Sequence, residues 1–451
     1  MVVPINWRMM TDETVKNLVR LIQINTVNPP GNELPAILIV KDILEEAGFP
    51  GEAIKIIESA PNRANLIARL KGDGTARPLL LSGHVDVVPV EREHWSHDPF
   101  GGEVIDNVVW GRGALDMKGF LTMYLQIFLG IFRQKIPLKR DIILAAIADE
   151  ENGFMYGSKF LVEQHRELID AEYGLTETGA LTINVRNGRI YPIQVAEKGI
   201  CFLKASAHGK PGHGSIPKAD NPVITLAEAI EKLHRAGHLP VHLSPTFLKM
   251  LDAAGPQAGF PLNTLTRLLH SPVLVNLLLK YLQGDSRNML RALVTNTISP
   301  TMLQAGIKVN VIPSTAEAGI DCRLVPGQTP DDLKKEIHTI AGEGIELEAV
   351  FTTNGAEFST DTPLFKLLER RTRQMDPSGI VIPMLMPGAT DACQYQRAGI
   401  KVYGFTPGIL PAGIPISQMA HGHDERIPIS FIESGLPVLW DVVNEFCGEG
   451  I

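Results

Sequence analysis

The sequence predicts a two-domain α/β protein: a mostly parallel sheet covered by helices, with a smaller α+β module inserted into it. Three observations carry this. Short apolar runs alternate with helical stretches up to about residue 195. Between about 195 and 354 the order becomes β-α-β-β-α-β, a two-layer, ferredoxin-like module. After about 355 the first pattern resumes. A chain of 451 residues also exceeds what a single core serves. The expected larger domain therefore spans 1–194 and 355–451, and the inserted one 195–354.

The elements follow from local pattern. Thr11 reads as an N-cap, with Val15, Leu18, Leu21 and Ile22 at helical spacing behind it. A second helix fits 34–47 and closes at Gly48. Residues 65–70, 78–82 and 142–148 read as strands, and 120–132 as a helix. In the insert, 200–208 alternates as a strand and 223–236 is helical. Strands fit 308–312 and 315–324, separated by the turn Pro313-Ser314. Thr329 caps a helix over 330–340, and 345–351 is the last strand. Residues 238–306 do not fit the module; their leucines fall on all helical faces, as in a segment that is packed inside or covers an apolar site.

Composition excludes several classes. Apolar residues make up 44% and charged residues 20%, ordinary for a globular chain. The net charge of −8 is spread along the sequence without a basic stripe, so nucleic acid is not an expected partner. Residues 1–20 lack the basic, apolar and small-residue segments of a signal peptide. No apolar run approaches the roughly 18 residues of a membrane span; the greasiest, 273–282, contains Asn276 and Lys280. Cys201, Cys322, Cys393 and Cys447 are scattered with no CxxC pair, so neither a disulfide framework nor a thiolate metal site is indicated, and a reducing cytoplasm is expected.

Chemistry concentrates at predicted strand ends. His84 closes the apolar run Leu79-Leu80-Leu81, where open α/β sheets place their sites. Asp86, two residues on, points to the same side and can fix the imidazole tautomer; a surface histidine is the bland alternative. Asp116 follows the glycine-rich GRGAL and precedes a helix, so an N-cap role competes with a ligand role. Gly111-x-Gly113 lacks the third glycine of a dinucleotide loop. Asp149, Glu150 and Glu151 end a buried strand, a costly arrangement unless something neutralises them. Glu177 could add an oxygen ligand, and His421 or His423 an imidazole. Histidine and carboxylate without sulfur suit Zn²⁺ in an open catalytic site, and Co²⁺ or Mn²⁺ fit the same donors.

The motifs GHVDVVP (83–89), GRGALDMKG (111–119), ADEENG (148–153), GKPGHGSIP (209–217), NVIP (310–313), DCR (321–323) and HGHDE (421–425) occur in this order. In them the chain closely resembles the co-catalytic zinc metallopeptidase family of aminoacylase, glutamate carboxypeptidase, acetylornithine deacetylase and succinyl-diaminopimelate desuccinylase. The resemblance implies two zinc ions per subunit bridged by Asp116, with His84 and Glu177 completing one site and Glu151 and His421 the other. It implies Glu150 as general base, Asp86 behind His84, and His213 as a lid-domain histidine that steadies the oxyanion in the partner subunit. Asn310 and Arg323 would bind substrate, Arg323 through an α-carboxylate, and Gly388, in PGATDA (387–392), would line the pocket. The inserted module would then be a lid and dimerisation domain, and the protein a homodimer. Asp424 stands where the family usually has Asn, and Ala389 where relatives often carry a hydroxyl.

The implied reaction is metal-dependent hydrolysis of the amide of an N-acyl-amino acid, the leucine-rich insert favouring an apolar acyl group; release of a C-terminal amino acid from a peptide is the alternative. An S-x-x-K serine hydrolase reading of 215–218 fails because Pro217 would sit inside the required helix. A non-catalytic binding protein of the same fold would have lost Glu150 or a ligand, and all are present.

Overall fold

In the computed structural model the described residues are 4–185, 188–255, 262–414 and 419–449. Two compact units emerge: one from Met1–Val195, Phe358–Pro383 and Thr390–Ile451, the other from Ala196–Glu357 with Met384–Ala389.

The larger unit is organised on a mixed sheet. Its centre is parallel: Ile142–Ile147, Leu79–His84, Tyr173–Thr176 and Lys401–Gly404 lie side by side in that order. The first three are buried throughout, which is why they read as continuous apolar runs. Antiparallel strands flank them, Arg63–Leu70 against Ile142–Ile147 and Ile54–Ala60 beyond it. The parallel character foreseen is therefore that of the core, not of the edges. Helix Lys118–Gln134 is buried from Lys118 to Ile131 and packs on the Leu79–His84 strand and on helices Trp7–Ile22 and Ile429–Cys447. The first helix starts at Trp7 rather than behind Thr11: Asn6 caps it by accepting from the Met9 N–H, and Thr11 is a buried position within the helix. A three-stranded ribbon matters more for the site. Arg426–Pro428 pairs with Val108–Trp110, setting the C-terminal HGHDE string beside the GRGALD loop.

The smaller unit holds a four-stranded antiparallel sheet, ordered Thr297–Ala305, Thr315–Leu324, Gly199–His208, Glu346–Thr352. Helices Pro222–Ala236 and Pro330–Ala341 contribute Leu226, Ala229, Leu233, Leu333 and Ile337, spaced three or four apart, to the core they share with that sheet. Thr329 and Asp332 form a capping box at the start of the second helix.

One expected strand was misplaced. Residues 308–312 contribute only Val311–Ile312, which pairs with Gly212–His213 outside the main sheet. The fourth strand is Thr297–Ala305, in the stretch set aside as insertion. It is an edge strand, exposed from Ser299 onward, and its register shifts between Pro300 and Met302. It therefore lacks the alternation of a half-buried strand, and proline is tolerated there because the edge needs no ladder donor. The rest of the leucine-rich stretch holds the helices Pro245–Ala254, Leu262–Leu268, Pro272–Tyr281 and Gly284–Val294, with Phe247, Leu251, Val275, Leu279 and Val294 forming a separate small core. Leu262 and Leu265 have side chains outside the described set.

Candidate metal centre

The central strands deliver their C-terminal ends to one place. His84 is the last residue of its strand and fully buried. Its Nδ1 lies 3.0 Å from the backbone oxygen of Asp86 and 3.4 Å from its carboxylate, which assigns the proton to Nδ1 and leaves Nε2 as a lone-pair donor. Among the described residues Nε2 is buried without a hydrogen-bond partner. It faces Asp116 at 3.3 Å, Glu177 at 3.7 Å and Glu150 at 3.9 Å.

Asp116 spans the centre. One oxygen faces His84 and the other lies 3.2 Å from Nε2 of His421. That same nitrogen is 3.0 Å from Glu151, whose other oxygen is buried and unpartnered. His421, not His423, thus reaches the cluster; His423 stacks near His94 and faces Glu91 at 3.6 Å. Two donor groups emerge, His84/Asp116/Glu177 and Asp116/Glu151/His421, sharing Asp116, and a third way of grouping joins His84 to Glu150 and Glu151.

The acidic turn is held by a strained backbone. Asp149 has φ 66°, a left-handed conformation uncommon for a residue with a side chain. Its carboxylate accepts from the Tyr156 N–H, and the Asp86 carboxylate accepts from the N–H groups of Glu150 and Glu151 at 3.2 Å each. Gly157 closes the turn so tightly that a Cβ there would meet the Ala148 oxygen at 1.7 Å.

Electrostatics shows what the cluster lacks. Burial, then the Glu177 charge, pushes Glu150 well above the usual carboxylate range. Burial and Asp116 raise Glu151 to about 7, and burial and Asp116 also raise Glu177. Burial opposes ionisation of Asp116, yet the facing His421 and His84 imidazoles hold it low. Hydrogen bonds to Asp116 and Glu151 lift His421 to about 10. The imidazole of His421 thus keeps its proton, and Glu151 and Glu177 resist ionising beside Asp116. The unpartnered His84 nitrogen and Glu151 oxygen, and four carboxylates drawn together, fit divalent cations.

Glu425 was quoted in a motif without a role. Fully buried, its carboxylate accepts from Arg112 Nη1 at 2.7 Å and from the N–H groups of Gly113, Leu115 and Asp116 at 3.0, 2.8 and 2.8 Å. It therefore holds the loop that presents Asp116. Its signal was an acid four residues after His421, at the edge of the pairing ribbon.

The remaining sequence-derived residues belong to the smaller unit. His213 is exposed, with Nδ1 2.7 Å from the Ser215 hydroxyl. Asn310 is exposed, and its backbone oxygen accepts from the Gly214 N–H. Arg323 grips Asp321 through Nε and Nη2 at 2.8 and 3.0 Å. Gly388 is in the Met384–Ala389 segment, half-buried.

Comparison with known proteins bears on this geometry. The model of Peptidase family M20/M25/M40 matches residues 80–445. The chain is 30% identical over 379 residues to Probable carboxypeptidase S-like 2 of Dictyostelium discoideum, covering 81% of this chain and 71% of that protein. It is 28% identical over 370 residues to the N-fatty-acyl-amino acid synthase/hydrolase of Xenopus tropicalis, covering 80% and 71%. A succinyl-diaminopimelate desuccinylase of Cereibacter sphaeroides is 30% identical over 248 residues, covering 52% of this chain and 61% of that protein, so part of such relatives has no counterpart in the match. An M20 family metallo-carboxypeptidase from Sulfolobus solfataricus shares the fold at a TM-score of 0.70 and 18% identity, covering 96% of this chain and 98% of the other. No helix among the described residues is long and apolar enough to cross a membrane.

Proposed function

We propose a substrate class and a mechanism for a chain that belongs to Peptidase family M20/M25/M40, a family of metal-dependent peptidases and amidohydrolases. The reaction is hydrolysis of N-acyl-amino acids to a carboxylate and a free amino acid. Two zinc ions are the proposed cofactors, with Co²⁺ or Mn²⁺ as substitutes for the same nitrogen and oxygen donors. The observation that supports this most is the pair of ligand groups sharing Asp116, with Glu150 beside them.

His84, Asp116 and Glu177 would hold one ion, and Asp116, Glu151 and His421 the other. When bound, such ions supply Lewis acidity toward the amide carbonyl and make a water acidic near neutral pH. Glu150 accepts the proton of the attacking water and returns it to the leaving nitrogen. Burial favours a carboxyl that carries a proton readily, which suits this double task. Asp86 keeps His84 in one tautomer. His213 of a second copy donates to the developing oxyanion, and the active species is a homodimer. Asn310 and Arg323 receive the amino-acid carboxylate; Nη1 is the guanidinium nitrogen that Arg323 would offer beside its bond to Asp321. The inserted module, 195–354 as read from sequence, acts as the lid, and Gly388 lines the pocket. A cytoplasmic location is part of the proposal.

The helical leucine-rich segment supports an apolar acyl group, as does the likeness to the N-fatty-acyl-amino acid hydrolase. A carboxypeptidase or dipeptidase is the second reading, supported by the carboxypeptidase-like relative. Zinc-loaded enzyme assayed on N-lauroyl and N-acetyl amino acids beside dipeptides separates them. Faster turnover of the lauroyl substrates is expected; turnover confined to dipeptides would overturn the preference.

A further inference from the structure

The buried side of the cage contains a charged array that none of the seven motifs includes in full. Asn28 sits in the string NPPGNE ahead of helix Leu34–Glu46, far in sequence from every proposed ligand. Its segment is tied to the His84 strand exit. The Asn28 N–H donates to Val87 O at 2.9 Å, the Val87 N–H to Thr26 O at 3.1 Å, and the Thr26 hydroxyl to Val85 O at 2.5 Å. This places one amide nitrogen between two carboxylates: Asn28 Nδ2 donates to Asp86 at 2.9 Å and to Asp149 at 2.8 Å. Behind Asp149 stands Arg63, at 2.8 Å, and behind Arg63 the carboxylate of Glu33, at 2.6 and 2.7 Å. All these side chains are buried.

The residue type matters. A primary amide has two N–H bonds and no charge, so it can serve both carboxylates without adding to the local anion excess. Its orientation is set by those partners, because the reversed amide would aim its oxygen at two anions. Asp86 orients the His84 imidazole and accepts from the N–H groups of Glu150 and Glu151; Asp149 is the strained first residue of that turn. Asp86 thus touches both halves of the cage, Asp149 shapes the acidic turn, and Asn28 ties the two carboxylates to each other.

We infer that Asn28 is a positioning residue that fixes the His84 arm and the turn carrying Glu150 and Glu151 relative to each other, through Asp86 and Asp149, and thereby sets the affinity of the cage for its metal. The inference rests on reading the cage as a metal site. Loss of the amide leaves Asp86 and Asp149 facing each other without a donor between them, and both ligand arms gain freedom that metal binding must then remove.

The test measures zinc affinity of the full chain by competition with a chromophoric chelator, for wild type, Asn28→Ala and the isosteric Asn28→Asp. Thermal unfolding of each metal-free protein is followed in parallel. Both variants are expected to bind zinc about 10- to 100-fold more weakly, with kcat reduced at saturating zinc and KM little changed. Affinity within about twofold of wild type in the folded variants, even with a lowered unfolding temperature, would make Asn28 merely structural and overturn the inference. Should Asn28→Ala fail to fold, Asn28→Asp, which keeps the shape, carries the comparison. Absence of tight zinc binding by wild type would instead sink the metal reading, and this inference with it.

Discussion

The two units hold their polar side chains in opposite ways. In the larger unit Asp86, Asp149 and Glu425 are buried and hydrogen-bonded to distant stretches of chain, and the buried His84 faces Asp116, Glu150 and Glu177. In the smaller unit His213 and Asn310 are exposed, and the His213 ring bonds to Ser215, two residues away. Precision resides in the larger unit. Geometry for binding cations is written into the fold of one unit before any ligand arrives. The groups proposed to touch substrate are held by near neighbours in the chain, His213 by Ser215 and Arg323 by Asp321.

Four experiments put that contrast at risk. The largest effect is expected for Glu150→Gln, which should lower kcat about 10²- to 10⁴-fold while retaining zinc; near-normal turnover would remove Glu150 as the base. His213→Ala should lower kcat by about 10²- to 10³-fold and leave zinc affinity untouched, since it belongs to the unit without ligands. A shift in its zinc affinity would erase the division of labour. Zinc affinity itself should rise with pH. Glu151, raised to about 7, and His421, raised to about 10, must shed protons before they can ligate. Binding titrations between about pH 6 and about pH 8 should therefore show tighter binding by about tenfold per pH unit for each proton released; a flat profile contradicts this.

The smallest effect concerns the one buried cation of the second unit that most resembles the first unit's style. Burial, aided by Arg323 and Arg291, pushes Lys198 down from 10.5 to about 7, although its ammonium donates to Ala292 O, Thr295 O and the Thr297 hydroxyl. The unfolded chain then binds more protons than the folded one between about 7 and 10.5, so stability grows as pH rises through that window. The unfolding temperature of chelated wild type should gain on that of Lys198→Met between about pH 7 and about pH 9. Parallel curves would show that Lys198 carries no such penalty.

Much of this was legible before any coordinates. The strands that lead to His84, Glu150 and Glu177 are buried on both faces, and burial on both faces leaves an unbroken apolar run. The segment Thr297–Ala305 was not legible, because an exposed edge with Pro300 has neither the apolar run nor the alternation. Asn6 was passed over as a cap since Thr11 offered the same chemistry nearer the apolar residues. Asn28, Glu33 and Arg63 escaped for a different reason. Their importance lies in meeting partners 30 residues away and more, and no local pattern records such a meeting.

The bare margin of the four-stranded sheet has a practical corollary. Met302 and Leu303 are about 70% exposed on a strand whose outer amides have no ladder partner among the described residues. Such a ribbon is a template for unwanted strand addition when protein is concentrated or refolded. Lysine at Met302 and Leu303 would be the first change for anyone seeking a less aggregation-prone chain, and the yield of soluble material would show at once how much of the chain's handling is governed by that one border.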